Sequence, residues 1–192
     1  KLSGNTAFIF GAVDGGSGNQ KATTNQATTF TYDTILNLES SFSGDDLLVT
    51  SLRAGNVGAP FNGGVATLER GWASSGGNGE LQINRNYYQF PVGDDFTATV
   101  GARVRQDDML AVWPSAYPGD SILDVLTYAG ANDAYNLAIG SGVGVSYAKD
   151  SFSASFSVVS EEPGDADAET GGVWTEGGSD VTTTQVAYSG DG

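Results

Sequence analysis

The chain has 192 residues, with 23 Asp and Glu against 8 Lys and Arg for a net charge of −15, and it contains no His and no Cys. The acidic balance argues against a nucleic-acid partner, and the missing His and Cys exclude disulfide frameworks, Cys/His zinc sites, Ser-His-Asp triads and Cys-His dyads. With 28 Gly, one Met and frequent Thr, Ser, Asn and Tyr the composition favours an all-β chain of short strands and turns; no run nears the ~18 apolar residues of a spanning helix, so any membrane insertion must be by strands.

Leu2–Val13 is the first strand candidate. The clearest period-2 segment follows, Ala27 to Phe42, where Phe30, Tyr32, Leu36, Leu38 and Phe42 share one face and Thr31, Asp33, Asn37 and Glu39 the other. That length suits a tilted membrane strand of ~9–11 residues. After the turn Ser43-Gly44-Asp45-Asp46, Leu48, Thr50, Leu52 and Ala54 alternate with Val49, Ser51 and Arg53, which completes a hairpin. Val65–Trp72 and Leu81–Val92 come next. In the second, Leu81 and Ile83 lie in register with Arg85 while Tyr88 and Phe90 lie opposite, a conflict that a bulge near Asn84 to Asn86 would resolve. Gly93-Asp94-Asp95 repeats the turn device and opens a strand in which Phe96, Ala98, Val100, Ala102 and Val104 alternate with Thr97, Thr99, Gly101, Arg103 and Arg105.

Residues 105–132 break the pattern. They hold two prolines, the adjacent acids Asp107 and Asp108, and Ser121-Ile122-Leu123-Asp124, which resembles a helix start capped by Ser121. The segment reads as a long loop with a short helix, folded inward to narrow a channel or packed outside over a neighbour. Tyr135–Tyr147, Phe152–Val159 and Val181–Tyr188 bring the candidates to nine strands, and the connection Glu161–Asp180 holds seven acids. Short turns alternating with long polar connections are the habit of outer-membrane barrels, although a soluble up-and-down sheet shows the same period.

If the apolar faces meet lipid, then Asp33, Asn37, Glu39, Ser51, Arg53, Thr97, Thr99, Arg103 and Arg105 face a lumen, because an Arg facing lipid at mid-bilayer costs ~2–4 kcal/mol. Two readings of Arg53, Arg103 and Arg105 stand side by side. They form a basic patch opposite Asp107, Asp108, Asp120 and Asp124 of the inward loop, setting a field across a constriction, or they pair locally with acids and hold the loop in place. Trp113, Tyr117 and Tyr128 are either stacking faces for sugars or the packing core of the loop. Tyr32, Phe42, Tyr87, Tyr88, Phe90 and Phe96, near strand ends, suit an interfacial girdle. The pairs Asp107-Asp108 and Glu161-Glu162 are adjacent residues in loops and do not converge on one substrate atom, while Asp165, Asp167 and Glu169 lack the glycine and distal Glu of an EF-hand. No enzyme, metal or cofactor is expected.

The stretch INRNYYQFPVGDDFTATVGARVRQDDMLAVWPSAYPGDSILDVLTYAGA, Ile83 to Ala131, resembles the porins of cyanobacterial outer membranes, within the carbohydrate-selective (OprB-like) porin family. The flanking stretches TYDTILNLESSFSGDDLLVTSLRAGN and YNLAIGSGVGVSYAKDSFSASFSVVS and the closing QVAYSGDG are similar too, so the likeness covers most of the chain. It implies an antiparallel transmembrane β-barrel of about sixteen strands that passes small hydrophilic solutes, carbohydrates and inorganic ions, by passive diffusion through the outer membrane of a Gram-negative cell. Complete family members place a signal peptide, a surface-layer-homology domain and a linking helix before the barrel. Residues 1–192 are then expected to be one partial barrel domain, the N-terminal half, in contact with outer-membrane lipid. A homotrimer is the habit of porins generally. The alternative from another class is a secreted soluble β-sheet domain that binds carbohydrate or acts as an adhesin; partition into membrane or buffer separates the two.

Overall fold

The computed structural model describes residues 1–12, 27–58, 61, 67–74, 79–119, 121–127, 135 and 137–190. Among them, eight strands form one antiparallel sheet in sequence order: β1 (Leu2–Gly11), β2 (Thr29–Ser40), β3 (Leu47–Gly55), β4 (Gln82–Val92), β5 (Phe96–Arg105), β6 (Ile139–Lys149), β7 (Phe152–Ser160) and β8 (Asp180–Tyr188). β1 and β8 are free edges, so the sheet is not closed. Short turns at 41–46, 93–95 and 150–151 join strands at one end; the long connections 12–28, 56–81, 106–138 and 161–179 all lie at the other.

Eight strands stand where nine were expected. The described part of Val65–Trp72 stays out of the sheet: Leu68 bridges Leu123 of the β5–β6 connection, and the Leu68 N–H donates to the Phe61 carbonyl. Gly71 shows why. A Cβ there would lie 2.6 Å from the Leu68 carbonyl oxygen and 3.0 Å from that of Phe61, so the chain folds back on itself too tightly to run on as a strand.

Period-2 alternation gives the sheet two faces of opposite chemistry, and their burial is inverted relative to a soluble protein. Phe8, Phe10, Phe30, Leu38, Phe96, Val100, Val143, Phe156 and Val186 are all exposed on one face, Phe30 by 70%. Asp33, Ser51, Arg85, Thr99, Ser155, Ser157, Thr183 and Gln185 are buried on the other, Asp33 at 0%. The cross-strand pairs keep the separation. Leu36 sits opposite Leu52 and Val100 opposite Val143, whereas Asn37 sits opposite Ser51 and Ser155 opposite Gln185.

The alternation is kept in phase by three register shifts. Ser51 pairs Arg85 but Leu52 pairs Ile83, so Asn84 is an extra residue in β4, at the place where the sequence conflict called for a bulge. Ile83 and Tyr88 thereby share the apolar face. Ala102 is extra between the pairs Tyr87–Gly101 and Asn86–Arg103, and the β5–β6 register shifts between Gly101 and Val104. That second irregularity corrects two assignments. The extra residue turns Val104 inward, where it is fully buried with Met109, Ala138 and Val159. It also puts Arg103, expected to face a lumen, opposite Asn86 in the cross-strand row of Thr50 and Leu38 on the apolar face, where it is exposed.

The start of the β5–β6 connection, through Val112, lies on the polar face. Its first turn is a 3-10 segment, Gln106–Met109, and a second, Asp124–Leu126, stands where the short helix was expected. Ser121 does not cap it; the residue before the turn is Leu123, and the Ser121 hydroxyl donates to the Pro118 carbonyl. Further along, Val112 exchanges two hydrogen bonds with the Gln185 side chain of β8, at 3.0 and 2.9 Å. Glycines on the inner face of β6 make room for this crossing. A Cβ on Gly144 would sit 2.8 Å from the Met109 sulfur, and one on Gly142 2.8 Å from Val104 Cγ1.

Aromatic rings line the exposed face near both ends of the strands. At the short-turn end Tyr88 stacks on Phe90 at 5.5 Å and Phe96 meets Tyr147 at 4.9 Å; at the long-connection end Phe30 meets both Phe8 and Phe10 at 6.1 Å. Tyr87 departs from its expected girdle position. It pairs with Val49 and Gly101 on the inner face and packs against the Val104 cluster.

Candidate functional site

All five arginines of the chain, Arg53, Arg70, Arg85, Arg103 and Arg105, gather in one region. β3, β4 and β5 carry four of them at neighbouring levels, and the connection between β3 and β4 delivers Arg70. Asp33 anchors the group from β2. It accepts Arg53 Nε at 2.9 Å and Arg53 Nη2 at 2.5 Å in a bidentate pair, and Arg70 Nε at 3.2 Å. Arg70 also donates to the Asn5 side chain at 2.8 Å and to the Asp33 carbonyl at 2.8 Å, which ties the β3–β4 connection to β1 and β2.

Two further pairs fix the start of the crossing loop. Arg85 Nε donates to Asp108 Oδ2 at 2.5 Å, and the same oxygen accepts the Arg105 backbone N–H at 2.8 Å. Arg105 grips Asp107 through Nε at 2.5 Å and Nη2 at 2.6 Å. Asp107 and Asp108 thus touch the arginines directly. Among the described residues Arg103, which is exposed, has no acid in ion-pair reach.

Arg53, Arg85, Arg103 and Arg105 line one recess of about 190 Å³ together with Trp72 and Gln82. The Arg53 guanidinium lies over the Trp72 ring, 5.3 Å from its centroid, an arrangement that holds a cation by the ring's quadrupole. Leu137, also in the wall, has φ of +61°, a left-handed conformation that costs a non-glycine residue about 1–2 kcal/mol. A second groove of about 310 Å³ runs beside it along the polar face, past Asn37, Glu39, Ser51, Tyr87 and Asp108.

The remaining candidates are dispersed. Asp124 lies at the far end of the crossing loop, where its N–H donates to the Thr67 carbonyl and its carboxyl hydrogen-bonds Glu69. Burial, and then that contact, push the Glu69 carboxyl up to about 7, against the pull of Arg105 and Arg53. Trp113 donates Nε1–H to the Tyr117 carbonyl at 2.7 Å and packs on Gly119, while the Tyr117 ring is 52% exposed. Asp120 and Tyr128 lie outside the described residues. Asp165 accepts the Asp167 N–H and the Thr170 hydroxyl, and Asp167 accepts the Glu169 N–H, so these acids brace the β7–β8 connection.

No family model matches the chain, and no curated protein or solved structure matches it.

Three members of the site, Arg85, Arg70 and Asp33, are not marked by the sequence as partners in one cluster. Arg85 was obscured by the phase conflict that the extra Asn84 creates. Arg70 was placed on a strand that does not form, and Asp33 was one polar residue among several on its face. The signal available for Arg85 and Arg70 is chemical: of the described lysines, Lys1 and Lys149 sit at strand ends, whereas every arginine falls in or between β3 and β5; nothing comparable marks Asp33.

Proposed function

We propose that this sheet is part of the wall of an outer-membrane β-barrel porin, a passive water-filled channel for small hydrophilic solutes such as carbohydrates and inorganic ions. The observation that carries the reading is the inverted burial: a continuous apolar face bearing Phe8, Phe30, Val100 and Phe156 is exposed, while charged and hydroxyl side chains are buried on the other. Water is a poor solvent for such an exterior and hydrocarbon a good one. The aromatic rows near the two strand ends, the strict alternation of short turns and long connections, and strands of 9 to 12 residues support the same setting.

Free edges at β1 and β8 would leave unpaired N–H and C=O groups in lipid, so in the working channel further strands close the barrel, about sixteen in all by the family resemblance. The crossing loop then lies in the lumen and narrows it. No covalent chemistry is asked of any residue. The test is single-channel conductance of the full polypeptide in a planar bilayer under a salt gradient, with added oligosaccharides. Discrete steps establish the channel, and block by sugar assigns carbohydrate as solute. Folded protein that gives no steps and remains in buffer without detergent would instead favour a secreted adhesin domain.

A further inference from the structure

We infer that the recess lined by Arg53, Arg85, Arg103 and Arg105 is a binding site for an oxyanion group, phosphate or carboxylate, carried by a small solute. The chain as a whole repels anions, with a net charge of −15, yet four of its five arginines line this recess and the fifth, Arg70, shares Asp33 with Arg53. No carboxylate is among the lining residues described; the acids that pair with Arg53, Arg85 and Arg105 come from β2 and from the turn Gln106–Met109. Two of the five guanidinium groups share the single carboxylate of Asp33. Arg103 shares none.

The local backbone is shaped around the same place. The extra residues Asn84 in β4 and Ala102 in β5, with the shift between Gly101 and Val104, fall on three adjacent strand pairs at one level, beside Arg85, Arg103 and Arg105. Bulges re-aim side chains and gather next to functional sites. Leu137 holds its positive φ in the same wall, and strain of that kind persists where the surroundings enforce it. Three of the four guanidinium planes are already held by hydrogen bonds or by Trp72, so an arriving oxyanion need not immobilise them. Planar forked donors at fixed positions are the donor set that oxyanions take up in bidentate fashion. A recess of about 190 Å³ holds one such group with its bridging waters.

The site stands on this geometry whether or not the sheet encloses a pore, and its test needs no pore. The full polypeptide, folded in detergent micelles at pH 7 and low salt, is titrated calorimetrically with sodium phosphate and, separately, with sodium malonate; glucose serves as the uncharged control. Saturable binding of phosphate or malonate, weakened at least tenfold by Arg103→Ala, partly kept by Arg103→Lys and absent for glucose, is the expected result; whichever probe binds names the headgroup. Arg103 is chosen because it is exposed and has no acid in ion-pair reach among the described residues, so its loss strands no described buried acid, and circular dichroism checks that the variant folds. Absence of saturable binding to the folded protein, or equal affinity in Arg103→Ala, overturns the site. Oxyanion binding without conductance would sink the channel and leave the site; conductance without oxyanion binding would do the reverse.

Discussion

Asp33 and Arg53 meet across the β2–β3 ladder in a two-pronged pair, with Nε and Nη2 of the arginine on the two carboxylate oxygens and the acid wholly removed from solvent. Because Arg70 uses the same carboxylate, Asp33 answers for two charges at once. Breaking a buried pair from one side costs about 3–5 kcal/mol, most of it the penalty of stranding the partner. Asp33→Ala should therefore destabilise the protein by roughly that amount, measured by urea unfolding in micelles, and Asp33→Asn by less, since the amide oxygen still accepts one hydrogen bond. A loss below about 1 kcal/mol would mean that water reaches and solvates the arginines.

The turn between β2 and β3 is organised by Asp46. Its carboxylate takes the Tyr88 hydroxyl at 2.6 Å, the Ser41 hydroxyl at 2.7 Å, and the N–H and hydroxyl of Ser43 at 2.7 Å each. These hydrogen bonds, Tyr88's first, hold the carboxyl well below the usual carboxylate range. A depressed folded value contributes stability that is present above the unfolded value and disappears as pH falls through the folded one. Wild type should thus exceed Asp46→Ala in stability at pH 7, and the gap should narrow progressively below about pH 4. Denaturation curves at pH 7, 4 and 3 read this directly; a gap that does not change with pH would assign the effect to the turn's shape alone.

Glu69 has the opposite sign. Its carboxyl is held up to about 7 by burial and by Asp124, so between the ordinary glutamate range and pH 7 the unfolded chain releases a proton that the folded chain keeps. Stability should fall as pH rises through that window and level off above it. Glu69→Gln is expected to remove this component, matching wild type near pH 4.5 and exceeding it at pH 8. Parallel curves for the two proteins across pH 5–8 would show that Glu69 titrates normally.

Gly144 faces Met109 so closely that any side chain must displace it. Gly144→Leu should cost about 1–3 kcal/mol through overpacking and lift the turn Gln106–Met109 off the wall, loosening the Arg85–Asp108 pair. Limited proteolysis within 106–127 should then become faster. Adding Met109→Ala to Gly144→Leu should recover part of the protection. Unchanged cleavage in the single variant would show that the loop is held by its ion pairs and not by this packing.

Much of the sheet could be read from alternation, because polar and apolar residues on β2, β3 and β5 change places every second residue and the turns at 41–46 and 93–95 carry their own glycine and aspartates. Extra residues defeated the same reading. A single inserted residue reverses every side chain beyond it, so Arg85 and Val104 could not be assigned a face until the pairing partners were known. Tyr87 and Tyr88 are neighbours in sequence and so point to opposite faces, and only Tyr88 could join the aromatic row. At Val65–Trp72 an apolar run suggested a strand, but the fold-back at Gly71 and the reach of Arg70 to Asp33, 37 residues earlier, decided the outcome. Long-range partners of that kind leave no local trace. The arginines of β3 and β5 were legible as a group; their acids and their common recess were not.

The extra residue Asn84 works as a phase inverter built into one strand. Everything in β4 before it is read in one parity and everything after it in the other, so Leu81 and Ile83 can share an apolar exterior with Tyr88 and Phe90 while Arg85 remains inside. Loss of that one residue would leave the composition almost untouched and yet exchange the faces of Gln82 and Ile83. Substitution at this position is cheap by comparison. In a sheet with one polar and one apolar face, the count of residues between turns is constrained more tightly than their identity.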